Sequence, residues 1–224
     1  SNAHAGTRSQ VKKLVKEKRV KVNGVLAKTS SMQIDEVNDE VTLDDIPVIY
    51  EEHMYLMLHK PAGYISATEG NVPTVMDLIY EDNNGLFPCG RLDKDTEGLL
   101  LITNDGPLAH TLLSPKHHVE KEYYVEHALD MSEDDIARLQ SGISYNGESY
   151  KPAKVNMISP RSCTLTITEG KYHEIKFMFQ ALGDKVTYLK RLRMKNLVLD
   201  ECLKPGEYRY LTEEEIADLK ADEQ

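Results

Sequence analysis

The chain has 224 residues, 40% hydrophobic and 29% charged, with 12 Tyr, 3 Phe and no Trp. That is an ordinary globular balance, enough for one large domain or a small one attached to a medium one. No apolar run approaches the ~18–20 residues needed to cross a bilayer, and no basic leader precedes an apolar stretch, so no membrane partner is expected. Cys89, Cys163 and Cys202 are odd in number and scattered, which argues against a disulfide framework and for a reducing, cytoplasmic setting. None of the eight histidines shows ligand spacing, and no metal is expected.

The net charge of −10 argues at first against a polyanionic partner, but its distribution reverses that reading. Residues 1–28 hold eight basic groups against Glu17 alone, a net of +7, which leaves −17 for the rest. Ser1-Asn2-Ala3 reads as an expression scar and is set aside. From Thr7 to Lys18 an apolar stripe of Val11, Leu14 and Val15 predicts a helix opened by a Thr7/Gln10 capping box. In RVKVNGVLAK, Val20 and Val22 alternate with Arg19 and Lys21, and Asn23-Gly24 predicts a hairpin turn. Val37, Val41 and Leu43 suggest a further strand. Residues 35–52 hold eight acids and no Lys or Arg, and a boundary is read there.

From His53 onward the pattern predicts strands at 54–58, 99–103, 121–128, 153–158, 163–168 and 185–194. Helices are expected at 74–80, 108–113, 132–140, 172–182 and 212–220, the third capped by Ser132 and Asp135. This is not a regular βαβ rhythm, so the fold class expected is α+β with a mainly antiparallel sheet. A second basic cluster, including Lys171, Lys176, Arg191 and Arg193, lies at 171–195.

Within CGRLDKDTEGLLLITNDG (89–106), four acids crowd one apolar run. Asp105 belongs to a turn, and Asp95 and Glu97 are expected to be solvated. Asp93 differs: Leu92 should anchor it, and Arg91 and Lys94 flank it. Gly90 and Gly98 bracket the segment and permit tight turns. Such a carboxylate suits a nucleophile, and equally a structural ion pair.

Two resemblances extend this reading. TRSQVKKLVKEKRVKVNG resembles the S4 RNA-binding module over residues 4–45, without that module's usual first helix; it implies RNA contacts from Arg8, Lys12, Lys13, Arg19 and Lys21. GRLDKDTEGLLLITNDG resembles the signature of the pseudouridine synthases that act on ribosomal RNA, and implies Asp93 as nucleophile. HKPAGYIS, EKEYYVE and TITEGKYHEIKFMF resemble that family's other motifs in order. They imply Tyr123 as the active-site tyrosine and Lys176 as the basic partner of Asp93. They also place Lys60 and Pro61 behind the active site and Arg91 in the space of an extruded base; Lys60, Arg91, Lys171, His173 and Arg191 are expected to contact substrate or RNA. Glu174 and Phe177 depart from the more usual glutamine and second basic residue.

The organisation expected is an S4-like module at 1–46, a linker at 47–52 and a catalytic domain at 53–224. SPKHHVEKEYYV and LKPGEYRYLTEEEIADL are particularly similar to the small-subunit type. The resemblance therefore implies isomerisation of a uridine in 16S rRNA, position 516, by a cofactor-free monomer on a partly assembled subunit. Alternatives are the same chemistry on 23S rRNA and a non-catalytic RNA-binding assembly factor. A glycosidase pairing Asp93 with Glu97 ranks last, since no Trp is present to hold a sugar.

Overall fold

Alternation of apolar side chains about each strand determines how the chain layers. The structure, a computed structural model, describes residues 3, 5–35, 37–48, 53–81 and 85–221. Ser1 and Asn2 of the presumed scar, and 49–52 of the expected linker, lie outside the described residues. The chain divides into two units, 1–53 and 54–224.

In the first unit, α1 (Arg8–Lys16) starts at the expected capping box, with Thr7 and Gln10 bonding each other's backbone. Strands β1 (Val20–Val22), β2 (Val25–Leu26), β3 (Val41–Leu43) and β4 (Ile46–Pro47) form a sheet in the order β2-β1-β3-β4. Val11, Leu14 and Val15 of α1 face Val20, Val22, Val41 and Leu43 of this sheet. Val37 was expected on a strand and is instead 90% exposed. Asp35 there accepts from the backbone N–H groups of 37 and 38 and closes a turn.

The second unit opens with β5 (Tyr55–Lys60), β6 (Phe87–Pro88) and β7 (Glu97–Thr103). Then come α2 (Gly106–Leu113), β8 (Lys121–His127) and α3 (Glu133–Ser141). A hairpin of β9 (Ile143–Tyr145) and β10 (Glu148–Tyr150) precedes β11 (Lys154–Ser159) and β12 (Ser162–Ile167). The chain continues through α4 (Glu174–Ala181), β13 (Val186–Met194), β14 (Leu197–Val198), β15 (Tyr208–Tyr210) and α5 (Glu213–Lys220). The main sheet runs β11-β12-β8-β13-β7-β5-β15. Every neighbouring pair along it is antiparallel except β13–β7.

Both faces of this sheet are covered, which is why its central strands read as unbroken apolar runs. Leu56, Leu58, Leu100 and Ile102 pack with Leu139 of α3 and Met178 and Phe179 of α4. Tyr55, Met57, Leu99 and Leu101 pack on the other side with Leu108 and Leu112 of α2 and Leu219 of α5. Each fully buried leucine contributes about 1.5–3 kcal/mol. Residues 74–80 do not form the expected α-helix. Only a 3₁₀ turn, Val75–Leu78, occurs, opened by a Thr74/Asp77 capping box. The helix expected from residue 172 starts at Glu174, because His173 takes left-handed backbone angles at its N-cap.

Candidate active site

Asp93 sits in the loop between β6 and β7, and several backbone anchors hold that loop. Ser66 Oγ donates to the Leu92 carbonyl and accepts from the Leu92 N–H, both at 3.0 Å. The Thr96 N–H closes a turn onto the Asp93 carbonyl at 3.0 Å. Where the loop enters β7, Gly98 has φ +107, and a Cβ there would lie 2.2 Å from the Arg191 carbonyl oxygen. Glycine is therefore required at the β7–β13 seam, where Gly98 pairs with Arg191. Its role is close backbone approach as well as the turn expected from sequence.

Lys60 completes the clamp. Its side chain is fully buried, and the ammonium donates to the carbonyls of Pro61 (3.0 Å), Lys94 (3.2 Å) and Thr96 (2.7 Å). Burial lowers its pKa to about 8, against the pull of Asp95, Glu97 and Asp93. The expectation of Lys60 as an RNA contact is corrected here: its donors are taken by the loop and its charge is out of reach of solvent.

Two groups meet at the Asp93 carboxylate. Lys176 Nζ of α4 lies 3.0 Å from Oδ2, and His173 Nε2 lies 3.3 Å from Oδ1. The same ammonium bonds Asp95 Oδ1 at 2.7 Å. Asp95 is solvent-exposed as expected, but it is also a second carboxylate on Lys176, and that bond holds its pKa below the ordinary value. Burial opposes the charge on Lys176, yet its bonds to Asp95 and Asp93 outweigh burial and raise its pKa. Glu97 also departs from the solvated expectation, since it accepts from the Tyr188 hydroxyl at 2.7 Å. Asp105 behaves as expected for a turn residue, capping α2 through the Leu108 N–H.

A cleft of about 340 Å³ opens over Asp93 and is lined by Arg91, Tyr123, Lys121, Ile167, Leu189 and Arg191, among others. Tyr123 comes up from β8, buried, between the strand partners Leu165 and Arg191. Arg91 is exposed at the mouth. Arg191 is only 2% exposed and donates through Nε to the Leu99 carbonyl at 2.8 Å. Its Nη2 has no hydrogen-bond partner. Arg191 thus lines the cleft from a buried position, held by the Leu99 carbonyl. Lys171 lines the cleft, but its ammonium is bonded to Glu148 and to the Ser149 carbonyl, each at 2.6 Å. Those bonds remove it from the free cations expected for RNA.

The departures Glu174 and Phe177 take other partners than Asp93. Glu174 is buried and accepts the Lys171 N–H at 3.0 Å, and burial pushes its pKa up to about 7. Phe177 stacks on Tyr145 of β9, with ring centres 5.6 Å apart. Cys89 is buried, as expected of a small thiol, and burial raises its pKa to about 11.

In the first unit, Arg8, Lys12 and Lys13 are exposed on α1. Arg19 forks onto Asp44 (2.9 and 2.5 Å), and Lys21 bonds Asp45 at 2.6 Å. The acids of 35–52 therefore neutralise part of the expected basic surface. Ser66, Thr96 and the Lys176–Asp95 bond were missed from sequence. For Ser66 the one available signal was its place at the end of HKPAGYIS.

Residues 54–181 match the family described as RNA pseudouridylate synthase, and residues 4–41 match the S4 domain. The chain is similar to an uncharacterized RNA pseudouridine synthase of Bacillus subtilis, at 48% identity over 96% of this chain and 94% of that protein. It is similar to ribosomal small subunit pseudouridine synthase A of Haemophilus influenzae, at 42% identity over 95% and 94%. A crystal structure of a pseudouridylate synthase matches with a TM-score of 0.73 and 42% identity, covering 95% of this chain and 94% of that one.

Proposed function

The chain belongs to the RNA pseudouridylate synthase family, and from that premise we propose that it converts one uridine of 16S rRNA, position 516, to pseudouridine. The observation that carries the mechanism is the Asp93 carboxylate, 3.0 Å from Lys176 at a cleft floored by Tyr123. An oxygen of Asp93 bonds C1′ as the C1′–N1 bond breaks, and the electron pair leaves with uracil. The base turns, C5 bonds C1′, and the carboxylate departs. C5 then loses its proton and N1 gains one, so atoms and charge balance with no cofactor.

Lys176 orients the carboxylate and balances its charge. Tyr123 offers a ring to the uracil face and a hydroxyl for proton movement. Arg91, at the mouth, occupies the gap that the extruded base leaves, an extrusion costing a few kcal/mol. The small-subunit target is supported by the likeness to the Haemophilus enzyme, and Arg8, Lys12 and Lys13 would supply phosphate contacts from the S4 domain. The three unpaired cysteines suit a reducing cytoplasm.

The test uses 16S rRNA and partly assembled small subunits tritiated at uridine C5. Wild type should release label and Asp93→Asn should not. Release that survives the substitution would remove Asp93 from the role of nucleophile. Carbodiimide-based primer extension then locates the product, and a modified base found only in 23S rRNA would overturn the target.

A further inference from the structure

An aromatic ledge runs outward from Asp93, and the chemistry above gives its outermost ring, Tyr172, no role. Tyr172 is 76% exposed although it lines the same hollow as Asp93 and Lys176. One face of its ring lies on His173, with centres 3.8 Å apart and planes within 15°. His173 in turn reaches Asp93 at 3.3 Å. Phe177 stands behind both rings, 5.8 Å from His173 and 6.2 Å from Tyr172, and rests on Tyr145 of the β9–β10 hairpin. Four rings thus brace one another while the outer face of Tyr172 is left to water.

We propose that this outer face is a stacking platform for the base adjoining the target uridine in single-stranded RNA, an inference that rests on the functional reading above. The occupant follows from spacing, charge and continuity with the catalytic cleft. A base stacked on Tyr172 would add about 3.5 Å to the 3.8 Å between the Tyr172 and His173 rings. It would then sit about 7 Å from the imidazole that touches Asp93, roughly twice the ~3.4 Å step of a stacked strand. That separation suits a nucleotide whose neighbour has been extruded. The hollow beside it also holds the exposed Arg91 and Lys94, cations that suit the backbone of such a strand. Tyr172 itself adds a π-face, and stacking on such a face accepts any base.

The experiment compares wild type, Tyr172→Ala and Tyr172→Phe in label release from the 16S substrate. Tyr172→Ala should raise KM at least about fivefold, the low end for loss of one base stack, with kcat nearly kept. Tyr172→Phe, which preserves the ring, should restore the wild-type KM. A second arm replaces the nucleotide on either side of the mapped uridine by an abasic one. At one of these positions wild type should lose the same factor, and Tyr172→Ala should lose nothing further. An unchanged KM in Tyr172→Ala, a Phe variant as poor as Ala, or penalties that multiply would overturn the platform while leaving the synthase reading intact. A wild type inert on both RNA and particles would overturn both.

Discussion

Lys60 allows the loop that carries Asp93 to be loosened without touching a reacting atom. Its three donors go to the carbonyls of Pro61, Lys94 and Thr96, two of them on the loop itself. The folded protein releases the Lys60 proton near pH 8, whereas the unfolded chain holds it to about 10.5. Between those values the unfolded state carries more protons, so the Lys60 contribution to stability rises with pH. The gap corresponds to at most about 3.4 kcal/mol. Deprotonation also removes one of the three N–H donors, and a charged hydrogen bond is worth about 1.5–3 kcal/mol. Turnover should therefore fall by about tenfold or more from pH 7.5 to 9.5, while the urea midpoint does not fall on account of Lys60. Lys60→Met should be slower than wild type by about a hundredfold at pH 7, from loss of the clamp. It should also lack the alkaline fall. Initial rates of label release and urea midpoints, measured at the same pH values for both proteins, test this. A Met variant with the wild-type rate at pH 7, or with the same alkaline fall, would refute the clamp.

Two further predictions concern stability. Glu174 holds its proton to about pH 7 when folded and to about 4.5 when unfolded, so its contribution worsens as pH rises through that window. Glu174→Gln, which can still accept the Lys171 N–H, should stabilise the protein by about 1–2 kcal/mol at pH 8 and by little at pH 4.5; equal urea midpoints at pH 8 would count against the raised pKa. Gly98→Ala places a methyl 2.2 Å from the Arg191 carbonyl oxygen at a φ of +107. It should cost at least about 3 kcal/mol, and a soluble variant with an unshifted denaturation midpoint would refute the close approach.

The parts of the fold legible in the sequence were those governed by local rules. The capping boxes at Thr7 and Ser132 stand where they were read, and the apolar run from Leu99 forms a buried central strand. The β9–β10 hairpin was overlooked although Asn146-Gly147 repeats the turn signal recognised at Asn23-Gly24, and both residues adopt positive φ. The 74–80 segment lost its expected helix, since only one turn is held before the chain extends at Ile79. At the site, the motif resemblance brought Asp93, Tyr123 and Lys176 to one cleft. Residue type alone misled for Lys60. A cation reads as a surface contact in sequence, while burial and carbonyl acceptors are set by strands far away in the chain. Asp95 and Glu97 were underrated for the same reason, because Lys176 and Tyr188 reach them only after β13 and α4 are in position.

The parallel seam of the main sheet has a temporal consequence. Arg191 bonds the carbonyl of Leu99 across 92 positions, and Lys176 reaches Asp95 across 81. Pairings that remote form late, because loop closure precedes their reward. A nascent polypeptide leaving the ribosome thus carries Asp93, the proposed nucleophile, without its partners until residues 176–191 have been translated and can close against the strands made first.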